Sequence, residues 1–235
     1  MRDRGRYVRE RTGLAAAILA GALVSSCTEP AIDRREGTEG LRGVELAEPL
    51  EVPAFTLADT EGEAWSFRDE TAGRLTFLFF GYTSCPDICP VHMANLAAAL
   101  GDLPYDQRRR IEVVFVSTDP GRDTPERIRQ WLDRFDRDFV GLRGPVERVN
   151  EIQRALHLPP AVRQALEERG DETAAARDEY LVGHASQILA VTRDGRARVA
   201  YPSGIRQQDW RHDLPELLAL DDALPSADAG PPGTR

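Results

Sequence analysis

The sequence predicts an α/β fold: a central mixed sheet flanked by helices. Three observations carry this. Leu75–Phe80 and Ile111–Val116 are uninterrupted apolar runs, the pattern of strands buried on both faces. Each run is followed by a helical pattern. Arg193-Asp194-Gly195 lies between Gln187–Thr192 and Arg198–Tyr201, as a tight turn lies between antiparallel strands.

The elements follow in chain order. Gly81 to Pro90 breaks the first apolar run, and Pro90–Leu100 then reads as a helix with proline in its first turn. After the second run, Thr124-Pro125-Glu126 opens a helix with a capping hydroxyl, a proline at the first helical position and an acid in the first turn. Ile128, Trp131, Leu132 and Phe135 give that helix an apolar face, and Val146–Leu156 is a third helical pattern. Residues 159–180 are rich in Glu, Asp, Arg and Ala and predict a polar helical insertion or lid before the C-terminal hairpin. Trp210–Leu220 is the last helix. Strand, helix, strand, helix, hairpin, helix is the order of a thioredoxin-like fold, with the early strands parallel and the last pair antiparallel.

The two ends are of different material. Arg2, Arg4, Arg6, Arg9 and Arg11 precede an apolar run from Leu14 to Val24, and Ser25-Ser26-Cys27 follows. Basic stretch, short apolar stretch and small residues are the parts of a secretory signal. The run falls short of the roughly 20 residues needed to span a bilayer. Val24-Ser25-Ser26-Cys27 resembles the lipobox of bacterial lipoproteins, in which the cysteine is lipidated; an uncleaved anchor is the alternative. The organisation expected is a signal with lipobox over 1–27, a flexible linker over 28–48, the folded domain over 49–220 and a disordered tail over 221–235. The domain would face the periplasm or the cell exterior, held to a membrane by its N-terminal anchor.

The net charge is −9, and the arginine-rich start makes the remainder more acidic still. Nucleic acid is excluded as a partner, since phosphate binding needs basic stripes. All 30 basic residues are arginine, a compositional bias without mechanistic content.

If Cys27 carries lipid, Cys85 and Cys89 remain, spaced C-x-x-x-C. Outside the cytoplasm such a pair is a disulfide, a redox couple or a metal site. It lies between a buried strand and a helix N-terminus, where backbone N–H groups and the helix dipole favour thiolate. Two thiolates on one loop can converge on a soft cation, with Cu(I) and Zn(II) the usual choices.

Gly81-Tyr82-Thr83-Ser84-Cys85-Pro86-Asp87-Ile88-Cys89-Pro90 resembles the first signature of the SCO/SenC family, and Ser117-Thr118-Asp119-Pro120-Gly121-Arg122-Asp123-Thr124-Pro125-Glu126 resembles its second. The similarity covers roughly residues 49–219, least well over 159–180. It implies a membrane-anchored, thioredoxin-like protein that binds copper, as Cu(I) or Cu(II), through two cysteines and a distant histidine. It further implies assistance in assembling the binuclear copper site of cytochrome c oxidase, the recipient being that enzyme's copper-binding subunit or another periplasmic copper protein. By position the ligands would be Cys85, Cys89 and His184, because the loop before the hairpin strand faces the cysteine loop in such a fold. The chain departs from the family at Gly183-His184-Ala185, where the usual context is Asp-His-Ser, so the acidic neighbour of the histidine is missing.

Other residues compete for roles. His92, three positions beyond Cys89, would be a ligand only if its helix face turned toward the loop, and is otherwise expected at an exposed position. His157 and His212 read as surface residues, Met93, Phe79, Phe80 and Phe115 as core, and Asp87 as a turn residue. Asp119 and Asp123 read as fixing the turn before the second helix. Tyr82 is open between shielding the site and packing the core. Two functions remain: a copper chaperone, which is not an enzyme, and a thiol-disulfide oxidoreductase using Cys85 and Cys89 as its redox couple. Three intervening residues, and the absence of proline from Gly183-His184-Ala185-Ser186-Gln187, favour metal. A peroxidase is a weaker third reading.

Overall fold

The computed structural model describes residues 40–165 and 180–226. The central sheet has six strands, in the order β1 (Val44–Glu51), β10 (Arg196–Tyr201), β9 (Ile188–Thr192), β4 (Leu75–Gly81), β5 (Ile111–Ser117) and β6 (Val140–Leu142). Its middle is β4 (Leu75–Gly81), every residue of which is buried. On one side β4 runs parallel to β5 (Ile111–Ser117), and β5 parallel to β6 (Val140–Leu142). On the other it pairs antiparallel with β9 (Ile188–Thr192), which forms a hairpin with β10 (Arg196–Tyr201) around Gly195, whose φ of 76° the turn requires.

Strand alternation divides the core into two layers. Leu75, Phe77 and Phe79 of β4, with Val113 and Phe115 of β5, pack under helices α2 (Ile88–Gly101), α4 (Pro125–Leu132) and α6 (Gln207–Asp222). Leu78, Phe80, Val114 and Val116 face α5 (Val146–Ala155) and the short α1 (Phe67–Glu70). Met93 is a core residue with no exposure. Thr124 caps α4 as its sequence predicts, accepting from Arg127 N at 3.2 Å, with Pro125 at the first helical position. One short helix, α3 (Tyr105–Arg108), lies between α2 and β5.

Two expectations need correction, and one element was not foreseen. The linker predicted over 28–48 gives way to strand β1 (Val44–Glu51), paired antiparallel with β10. Its alternation is hidden because it is a solvated edge strand whose register shifts between Glu45 and Leu50. Its approach is fixed by Asp213, which is fully buried in α6 and accepts from the backbone of Arg42 and Gly43 at 2.8–2.9 Å. A small hairpin of β2 (Thr56–Ala58) and β3 (Ala64–Ser66) was too short to show a period. The predicted polar helix over 159–180 is bounded by strands: β7 (Val162–Ala165) pairs antiparallel with β8 (Tyr180–Gly183). Residues 166–179, the signal with Cys27, the linker up to residue 39 and the tail beyond residue 226 lie outside the described residues. Among the described residues no helix is long and apolar enough to cross a membrane.

Candidate metal centre

The first signature leaves the C-terminal end of β4 and enters α2. Gly81, the last residue of β4, needs to be glycine: a Cβ there would stand 2.9 Å from the Phe115 ring and 3.0 Å from Cys89 Sγ. Cys89 can therefore lie flat on the sheet, fully buried, while Cys85 is half-buried beside exposed Pro86 and Asp87. Asp87, at the N-cap of α2, makes no side-chain cap bond. Instead the sulfur of Cys85 accepts the Cys89 N–H at 3.5 Å, meeting one of the donors that a helix start leaves open.

His184 arrives from the end of β8. Its Nε2 lies 3.6 Å from Cys89 Sγ, and the sulfur and nitrogen donors of Cys85, Cys89 and His184 all lie within 4.8 Å of one another. His184 Nδ1 is 2.6 Å from the Ala185 carbonyl, which can only accept. This places a proton on Nδ1 and turns Nε2 toward the sulfurs. Tyr82 stands edge-on to the imidazole, with centroids 5.5 Å apart. Tyr82 both packs and shields: it is buried with Tyr180, Val182 and Ala161, and burial pushes its hydroxyl up to about 12.

The two sulfurs differ. The Cys89 thiol is the largest influence on Cys85, donating to its sulfur. His184 and the backbone of Cys89 and Asp87 add to this against the cost of burial, and together they hold Cys85 down to about 3. Burial, then the neighbouring Cys85, pushes Cys89 well above the ordinary thiol range. The pair is thus one thiolate and one retained thiol, whose proton must leave when a cation takes both sulfurs. Both cysteines are free. The donor set of two sulfurs and an imidazole suits soft and borderline cations, copper and zinc above all.

The surrounding residues have roles only partly foreseen. Asp123 does more than fix its own turn. It is fully buried and accepts from Thr83 Oγ1 at 2.5 Å, Thr83 N at 3.2 Å and Ser117 Oγ at 2.6 Å, so the second signature holds the first. Arg127 adds bonds to Thr83 Oγ1 and Ser84 Oγ at 3.0 and 2.9 Å. His92 is not at an exposed position: it is 2% exposed, against the Phe79 ring, with Nε2 lacking a partner. It lies outside the donor cluster. His157 is exposed at the end of α5 with φ of 54°, and His212 pairs with Asp213 at 2.8 Å. At the departure from the family pattern, the end of the Gln164 side chain covers Gly183, 2.7 Å from where a Cβ would stand. A side chain at 183 would have to displace that flexible amide.

Fold and cluster define a class: a thioredoxin-like domain in which a C-x-x-x-C loop and a distant histidine converge as soft donors. The family model described as SCO1/SenC matches residues 45–219, and the chain belongs to that family. It is similar to "Putative copper-binding protein" of Stutzerimonas stutzeri, 30% identical over 198 residues, 83% of this chain and 92% of that one. Among solved structures, apo Sco1 of Thermus thermophilus has a TM-score of 0.63 at 30% identity, covering 77% of this chain and 97% of that one. ScoI of Bradyrhizobium japonicum with copper bound has a TM-score of 0.57 at 26% identity, covering 72% and 99%.

Proposed function

We propose that this protein is a copper chaperone that holds one copper ion through Cys85, Cys89 and His184 and delivers it to a respiratory oxidase during assembly. The observation that carries the reading is the convergence of those three donors within 4.8 Å from two segments far apart in the chain. Two sulfurs supply softness for Cu(I), and the imidazole helps retain Cu(II), so one site can serve both states. The recipient in this reading is the copper-binding subunit of cytochrome c oxidase or another periplasmic copper protein, as the family resemblance implies. The domain works from a membrane, tethered by lipid on Cys27, on the periplasmic or outer side.

The test is metal analysis with an optical spectrum of the purified protein, before and after His184→Ala. One copper per chain and a visible Cu(II)–thiolate band are expected, the band vanishing in Cys85→Ser or Cys89→Ser. Copper bound equally well by the double cysteine variant would refute the assignment. One observation favours a second reading as thiol-disulfide oxidoreductase: both cysteines are free, and the more accessible Cys85, its thiol pushed down by its neighbours, lies beside buried Cys89 as an attacking sulfur lies beside its resolving partner. Wild type that takes up no copper but reduces protein disulfides would establish that reading instead.

A further inference from the structure

Tyr180 opens β8, four residues before His184. Residues two apart in a strand share a face. Tyr180 and Val182 are both buried against Tyr82, and His184 comes next in that series, with its ring on Cys89. Tyr180 is held on every side. Its hydroxyl donates to Asp119 Oδ1 at 2.7 Å, and its carbonyl accepts from Arg122 at 3.0 Å. Its ring lies between the guanidinium groups of Arg122 and Arg163, at 3.6 and 3.5 Å from the centroid. Arg122 is itself ion-paired to Asp119. The turn from Asp119 to Asp123 therefore grips the histidine-bearing strand at one end and, through Asp123, the cysteine loop at the other.

We infer that Tyr180, closed on by Asp119 and Arg122, is a clasp that fixes the reach of His184 toward the cysteines and so sets the balance between Cu(II) and Cu(I) at the site. The inference rests on the copper reading above. Cu(I) is satisfied by two sulfurs, whereas Cu(II) draws on the imidazole. A clasp that slackens moves the imidazole most, since the cysteine loop, though it loses packing at Tyr82, keeps its own bonds to Asp123 and Arg127. Tyr180 is then a positioning residue, acting through His184.

Two variants test this. Tyr180→Phe keeps the ring between the arginines and loses the bond to Asp119; Tyr180→Ala loses both. In Tyr180→Ala, Cu(II) affinity should fall about tenfold and Cu(I) affinity change less than about twofold. Tyr180→Phe should lie between it and wild type, and the Cu(II)–thiolate absorption should weaken in the same order. In the metal-free protein, the nuclear Overhauser contact between the rings of His184 and Tyr82 should fade in step. Equal loss of both copper states, or an unchanged ring contact in Tyr180→Ala, would overturn the clasp. If Tyr180→Ala does not fold, Tyr180→Phe decides, and wild-type behaviour there overturns it. Should wild type take up no copper at all, the copper reading fails on its own, and the metal-free ring contact still judges the clasp.

Discussion

Cys89 Sγ and His184 Nε2 stand 3.6 Å apart although 95 residues separate them in the chain. Neither belongs to a flexible surface loop alone. The sulfur lies on the floor of the sheet, and the imidazole is wedged against Tyr82 and Phe79. The donors are therefore placed before any ion arrives, which lowers the ordering cost of binding.

The asymmetry of the two sulfurs should appear in their chemistry. An ordinary thiol at pH 5 is ionised in roughly one molecule in several thousand, whereas Cys85, held at about 3, is ionised throughout. Iodoacetamide at pH 5 should modify Cys85 and spare Cys89, with a rate nearly constant from pH 5 to 8. Peptide mass mapping reads the site. A rate rising tenfold per pH unit would show an ordinary thiol.

Asp123 should be costly to remove. Asp123→Ala leaves Thr83 and Ser117 without their buried acceptor, and a loss of about 3 kcal/mol is expected from hydrogen bonds to a charged group. Urea unfolding measures it. Because the same carboxylate holds the cysteine loop, copper affinity should fall as well; Asp123→Asn, which keeps an acceptor, should be milder on both counts.

His92 should make the fold acid-sensitive. Burial holds its imidazole below the ordinary value of 6.5, against the Ser186 backbone and the Cys85 charge, which favour protonation. The unfolded chain then binds the proton more readily than the folded one, so stability is full above about pH 6.5 and declines as pH falls below it. The decline levels off beneath the lowered folded value. In His92→Phe, chemical denaturation between pH 7 and 5 should show a flatter slope than wild type.

Cys27 lies outside the described residues, and its role is tested by mass. A processed, lipidated wild type that partitions with membranes, and a Cys27→Ala variant not cut at that site, are expected. An intact N-terminus retaining residues 1–26 would leave the uncleaved anchor.

The legible parts of the fold were those with strong local physics. The β4 and β5 runs, the Thr124-Pro125 cap and the Gly195 turn each advertise one structure, and each is present. Strand β1 was not legible because its partner β10, far away in sequence, supplies its order. The ends of the insertion are strands because Tyr180 and Val182 bury against Tyr82, a tertiary effect invisible among so many charges. For the site, the two signatures indicated Cys85 and Cys89, and the fold order placed His184. The burial of His92 depended on which face of α2 meets Phe79, and the run Pro90–Leu100 is too uniformly apolar for periodicity to decide it. The reach of Asp123 to Thr83 could have been suspected only from the two signatures occurring together.

Burial across the three donors is graded, from Cys89 with no exposure to half-buried His184 and Cys85. The centre thus has a floor and a threshold. A foreign side chain approaching from solvent meets Cys85 beside Pro86 and His184 beside buried Tyr82, and meets Cys89 last. An ion taken up by such a site would enter and leave over the same edge, with its bond to Cys89 the most sheltered of the three. Two proteins sharing an ion in transit would do so across Cys85, without either having to open its core.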